Sequence, residues 1–120
     1  MPARLQRLSD AEYAVVRERL RHGAAPADLR AMTKHLLAVL SEQAPGHSVE
    51  VRVPPYAAAQ CIPGVRHTRG TPPAVVETDP ETWIALATGE LAWAEAVDAG
   101  RVVASGERSD LSPWLPLADG

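Results

Sequence analysis

The chain has 120 residues and a net charge of −3, with 46% apolar and 22% charged side chains. This length favours a single domain, and the composition excludes a disordered chain. Residues 74–120 carry two basic and nine acidic side chains, which would repel a phosphate backbone, so the charge distribution argues against nucleic-acid binding.

The first part of the chain predicts two helices. Ser9 and Glu12 have the spacing of a capping box, and Gly23 follows a basic run that would end the first helix. Pro26 suits the first turn of a second helix, and Pro45 with Gly46 ends it. We expect residues 1–8 to be flexible.

The centre of the chain predicts strands. SVEVRV alternates apolar and polar residues, which is typical of a strand with one wet face. YAAAQCI is a second, weaker candidate because alanine is a poor strand former. A turn at Pro63 and Gly64 would return the chain as a further strand through Val65 to Thr68. PAVVET is the next candidate.

The last part predicts a helix over ETWIALAT, capped by Thr78 or Asp79 and closed at Gly89 in a left-handed conformation. Thr78 and Glu81 have the spacing of a second capping box. A short helix over about 92–99, a buried strand RVVASG and a final short helix SDLSPWLPL follow.

This order predicts an α+β fold with a mainly antiparallel sheet of about five strands, packed by helices. We expect one domain over residues 9–117, with a helical part at 9–44 and the sheet and C-terminal helices at 48–117. Residues 118–120 would form a tail.

The C-terminal half resembles a known family. TDPETWIALATGELAWAEAVDAGRVVASGERSDLSPWLPL is similar to the closing segment of the sterol carrier protein family, in which three glycine-containing steps follow a fixed order. Here they are Gly89-Glu90-Leu91, Gly100-Arg101-Val102 and Gly106-Glu107. With VEVRVPPYAAAQCIPGVRHTRGTPPAVVETDP upstream, the chain looks like the stand-alone actinobacterial branch often called the bacterial sterol carrier ortholog, over about residues 25–117.

The resemblance implies a sterol-carrier-like fold with an apolar tunnel between the sheet and the C-terminal helices, which holds a fatty-acyl or sterol-like molecule. The residues expected to line it are apolar: Val51, Val53, Val76, Trp83, Leu86, Leu91, Trp93, Val97, Leu111, Trp114 and Leu115. A domain of this size also needs such residues for a filled core, so the periodicity alone leaves both interpretations open.

The segment GVRHTRGTPP contains several donors and no acidic residue. Arg66, His67, Arg69 and Thr71 are candidate contacts for an anion or for the polar head of a ligand. The alternative is a tight turn at Gly70 with solvated arginines that pair with Glu50 or Glu77.

No motif predicts a metal site, a cofactor or catalysis: the histidines lack ligand spacing, and no nucleophile or phosphate-loop motif occurs. The lone Cys61 excludes an internal disulfide and is typical of a small buried apolar residue.

We therefore expect a cytoplasmic lipid-binding carrier without activity of its own and without stable membrane insertion. One alternative is an accessory module that docks on a partner enzyme or a second copy through the N-terminal helices, with Arg17, Arg19 and Arg21 facing an acidic partner. The other is a thiol-dependent isomerase-like domain.

Overall fold

A computed structural model describes residues 5–64, 74–106 and 109–118. These residues confirm the α+β class. The elements, in chain order, are α1 (Asp10–His22), α2 (Pro26–Gln43), β1 (Val49–Val53), β2 (Ala57–Cys61), β3 (Ala74–Thr78), α3 (Pro80–Thr88), α4 (Trp93–Asp98), β4 (Val102–Ser105) and a 3₁₀ helix (Ser112–Trp114).

The four strands within these ranges form one sheet in the order β2-β1-β3-β4. Two of the three pairings are antiparallel, as predicted, but β1 and β3 run parallel. A parallel pairing needs a connection of about a dozen residues or more outside the pair, and the chain after β1 supplies it with β2 and residues 62–73. The predicted strand at 65–68 lies outside the described residues, so the structure shows four strands where about five were expected.

The sheet has one apolar face and one polar face. The valines of β1 and Val76 of β3 are buried on the inner side, whereas Arg52 and Glu77 point to water on the other side. The prediction of a buried strand at RVVASG was wrong for most of its length. Val102 is buried, but Val103 is 66% exposed because it pairs with Glu77 on the face of the sheet that points to water.

Helix α1 begins as its sequence predicts. The Glu12 backbone N–H donates to Ser9 Oγ (3.2 Å), and the Ser9 N–H donates to Glu12 Oε1 (3.1 Å), so the capping box is complete. Only Val16 is buried among the α1 residues, while Tyr13 and Leu20 pack partly against the core. This narrow face lies on α2.

Helix α2 is the centre of the molecule. The sequence predicted one apolar stripe of Leu29, Met32, Leu36 and Leu40, but burial extends over every residue from 35 to 40. The reason is that α2 lies directly against three elements, namely α1, α3 and β2. The small alanine side chains of β2 allow the close approach of this helix, so the residues that weaken the strand serve the packing of α2.

A buried histidine joins the N-terminal segment to α2. The Leu8 backbone N–H donates to His35 Nδ1 (2.9 Å), and the Tyr13 and His35 rings lie 4.8 Å apart. Burial, helped by the positive charge of Arg7, lowers the pKa of His35 below its usual 6.5, while Glu42 and Asp10 act in the opposite direction. The neutral imidazole is therefore the form that the fold accommodates.

We expect this histidine to make the protein less stable in mild acid. The unfolded chain binds a proton at His35 more readily than the folded chain, so the free energy of unfolding falls as the pH drops below about 6.5, by up to about 1.4 kcal/mol per pH unit, until the folded His35 itself is protonated. Denaturant unfolding across this range checks the slope. His35→Gln should flatten it, whereas His22→Gln, at an exposed position, should not. Equal slopes in all three proteins would contradict the assignment.

Helix α3 begins at a different cap from the predicted capping box. Asp79 is the N-cap, and its carboxylate accepts from the Thr82 N–H (3.0 Å) and from Thr82 Oγ1 (2.6 Å). Thr78 Oγ1 donates instead to the carbonyl of Arg101 (2.8 Å), which ties β3 to the start of β4. Gly89 closes the helix with a φ of 85°, as predicted.

The final helix is much shorter than predicted. Only Ser112–Trp114 are helical, in a single 3₁₀ turn, whereas the sequence pattern predicted a helix over residues 109–117. Pro113 and Pro116 lack the N–H groups that a longer helix requires. The rest of this segment has no regular secondary structure, and its end is held by the Leu117 N–H, which donates to the Ala87 carbonyl (3.0 Å).

Candidate functional site

The predicted cavity residues on the sheet and on α3 come together in the structure. Val51, Val53 and Val76 line the inner face of the sheet, and Trp83 and Leu86 project from α3 into the same buried cluster. Their side chains are almost completely shielded from water, and Leu111 joins them from the C-terminal segment. This part of the predicted set forms a closed core among the residues that the structure describes.

The other predicted residues follow α3 and are less enclosed. Leu91, Trp93, Trp114 and Leu115 are half-buried and pack against the core cluster, each with part of its surface in water. Val97 is 43% exposed and lies outside that cluster. The predicted set therefore divides into a buried layer and a partly exposed layer on top of it.

A surface groove lies elsewhere, between α1, α2 and α3. It has a volume of about 210 Å³ and an apolar floor that includes Leu29, Met32 and Ile84. Arg17 and Glu90 stand at its rim, where their side chains approach to 3.7 Å. None of the apolar residues predicted to line a cavity contributes to this groove, or to the hollows beside His35 and on the outer face of the sheet.

The candidate anion contacts are not part of the described structure. Arg66, His67, Arg69 and Thr71 fall within residues 65–73, which lie outside the described ranges. The suggested partner Glu50 is engaged by another residue, since its carboxylate accepts from Arg52 Nε at 2.7 Å.

Cys61 is a buried member of the core, as its alanine-rich strand predicted. Desolvation raises the pKa of its thiol to about 12. At neutral pH the thiol is therefore protonated, and the thiolate that nucleophilic chemistry requires is scarce. The thiol-dependent isomerase alternative gains no support from this residue.

The arginines of α1 are engaged within the chain. Arg19 pairs with the buried Asp28 (3.0 Å), and Arg21 pairs with Glu18 (3.0 Å). Arg17 donates to the Tyr13 hydroxyl (3.0 Å) and lies near Glu90. These contacts account for the basic run without an acidic partner.

A buried polar residue that belongs to no sequence motif lies beside the core. Thr33, on α2, is fully buried, and its carbonyl accepts from Trp83 Nε1 (3.3 Å). Its hydroxyl has no hydrogen-bond partner within the described part of the chain. A lone threonine between apolar helix positions carries no signal in one sequence, because threonine is common on helices for packing reasons alone.

Metal centres and membrane spans are two other classes of site. Within residues 5–64, 74–106 and 109–118, no group of three or more His, Cys, Asp or Glu side chains is placed to hold a metal ion. None of the described helices is long and apolar enough to cross a membrane.

Comparison with known families identifies the class of protein that this sheet and its helices define. Residues 26–117 match the family model described as bacterial SCP ortholog. The match covers more than half of the chain, so the chain belongs to the bacterial branch of the sterol carrier protein family. No curated protein matches it. Helix α1 precedes the matched region.

Proposed function

We propose that this protein is a cytoplasmic carrier that binds a fatty-acyl or sterol-like molecule and performs no chemistry on it. The observation that carries the proposal is the partly exposed layer of Leu91, Trp93, Trp114 and Leu115, whose side chains pack against the buried core. Apolar side chains that keep part of their surface in water gain free energy when an alkyl group covers them. Membership of the sterol carrier protein family supports the same ligand class.

The ligand would enter between this layer and the inner face of the sheet. Each methylene group moved from water into that space contributes about 0.8 kcal/mol, so a long alkyl chain supplies enough free energy to separate the two layers. The C-terminal segment is the element proposed to move. Besides the bond from Leu117, it is tied to α2 by the Gln43 side chain, which bonds the Ala118 carbonyl (2.6 Å) and its N–H (3.3 Å).

The polar head of the ligand would meet the basic segment after β2. Arg66 and Arg69 carry the charges that complement a carboxylate or a phosphate, and His67 and Thr71 add donors. This part of the proposal comes from the sequence. It places the polar head of the ligand at the opening of the binding site and the hydrocarbon chain in the interior.

Delipidated protein titrated with a fluorescent fatty-acyl probe is expected to bind it saturably, with a change in tryptophan emission. Trp114→Ala should lower the affinity for the probe about tenfold, because the burial of apolar surface that is lost contributes roughly 1.5 kcal/mol of binding free energy. Val103→Ala, which shortens an exposed side chain on β4, is the matched control and should leave the affinity unchanged. The double variant Arg66→Ala with Arg69→Ala should lower the affinity for a probe with a free carboxylate and leave the affinity for a neutral probe unchanged.

Native mass spectrometry of the freshly purified protein provides an independent measurement. A co-purified lipid would support the carrier. A dimer or a retained enzyme without lipid would instead favour the accessory module, and failure to bind any apolar probe would contradict the carrier.

A further inference from the structure

The hydroxyl of Thr33 is an exception among the buried polar groups. The residue is 0% exposed, and Oγ1 has no hydrogen-bond partner in the part of the chain that the structure describes. Burial removes a hydroxyl from water, and a buried group without a partner does not recover that loss. Such a group in a native protein needs a specific explanation.

Other hydroxyls in this protein show what Thr33 does not do. On helices, Ser41 Oγ donates to the Leu37 carbonyl (2.9 Å), and Thr88 Oγ1 donates to the Ile84 carbonyl (2.7 Å). Both use the carbonyl one turn earlier, which is the usual solution for a hydroxyl within a helix. The corresponding partner of Thr33 is the Leu29 carbonyl on the same helix, and its hydroxyl does not bond to it.

Thr33 is also bonded to Trp83, one of the residues that the sequence predicted to line the ligand cavity. Its carbonyl accepts from the indole N–H of Trp83, which packs with Val51 and Val76 in the same buried cluster. One turn later on α2, Leu36 and Leu37 are buried and apolar. The free hydroxyl therefore lies at the contact between α2 and α3, close to buried apolar side chains.

We infer that Thr33 Oγ1 is the polar contact for a neutral oxygen, a hydroxyl or a carbonyl, in the hydrocarbon part of the ligand. This assignment rests on the proposed function. A hydroxyl both donates and accepts, so it can satisfy either group. An ionised carboxylate does not suit this position, since a buried charge needs a paired opposite charge. Among the described residues, the buried polar side chains are those of Asp28, Thr33, His35, Thr78 and Thr82. None of them is a lysine or an arginine.

The experiment compares two neutral probes, decanol and undecane, which differ by a hydroxyl in place of a methyl group. Their binding to wild-type protein, Thr33→Val and Thr33→Ser is measured by displacement of a fluorescent acyl probe. Because both probes are uncharged, the charges of Arg66 and Arg69 do not affect the comparison. Valine has the shape of threonine without its oxygen, while serine retains the hydroxyl.

We expect Thr33→Val to lower the affinity for decanol about fivefold, in line with the loss of one hydrogen bond. The affinity for undecane should not change. Thr33→Ser should retain the preference of the wild-type protein for decanol. Without ligand, Thr33→Val should raise the melting temperature by about 4 °C, because an unsatisfied hydroxyl is removed.

Three results would overturn the inference in distinguishable ways. An unchanged ratio of decanol to undecane affinity in Thr33→Val would show that the hydroxyl does not contact the ligand. A lower melting temperature in that variant would show that the hydroxyl has a structural partner. Absence of binding by the wild-type protein to any apolar probe would reject the carrier function itself, and the Thr33 assignment with it.

Discussion

Replacement of Trp83 by alanine is expected to lower the free energy of unfolding by about 4 kcal/mol, within the range for large aromatic residues in a packed core. The side chain is 1% exposed, and the variant also removes the donor that bonds the Thr33 carbonyl. The chain contains no phenylalanine and few other aromatic residues. The space left by the indole therefore has few bulky neighbours that could fill it.

Urea unfolding followed by circular dichroism measures this loss, with Val103→Ala as the control for a change at an exposed site. The control should shift the free energy of unfolding by less than about 0.5 kcal/mol. A loss below about 1 kcal/mol in Trp83→Ala would mean that the indole has loose surroundings in solution and that the core near α3 is already open.

Gly46→Ala should also be strongly destabilising, with a loss of about 3 kcal/mol or more in the free energy of unfolding. Gly46 has a φ of 151° and lies between α2 and β1. A Cβ at this position would overlap the carbonyl group of Ile62 and come within 2.8 Å of Pro63 Cα. These are backbone atoms that cannot rotate away, and the Ile62 N–H and carbonyl are bonded to Ala44 and Ser48.

Gly23→Ala is the matched control for this change. Gly23 has an extended φ of 168°, and no atom lies within 4 Å of the position that its Cβ would take. The control should leave the melting temperature unchanged or slightly higher, because alanine restricts the unfolded chain. A mild effect of Gly46→Ala, similar to that of the control, would show that the link between α2 and β1 can move away from β2.

Local signals allowed much of this fold to be predicted from the sequence. The Ser9 capping box, the glycine after α3 and the alternation in β1 each depend on a few neighbouring residues, and the structure confirms all three. The Thr78 capping box failed because Asp79 competes for the same position and Thr78 bonds to Arg101 across the sheet. That contact joins residues far apart in the chain, which a spacing rule does not detect.

The arrangement of the elements was harder to predict for the same reason. The parallel pairing of β1 with β3 and the burial of α2 on several sides depend on which elements meet in space. The apolar candidate residues divide into buried and partly exposed side chains, and their role in ligand binding stays a prediction. Thr33 was missed because an unsatisfied hydroxyl is defined only by its surroundings.

The two faces of the sheet differ in polarity, and this difference bears on how many ligand molecules the proposed carrier can bind. Glu50, Arg52 and Glu77 occupy the side of the strands that faces water, so hydrocarbon is concentrated on the opposite side. An apolar ligand of the proposed carrier would therefore contact only one face of the described strands. For the proposed carrier we therefore expect a ratio of one ligand per chain.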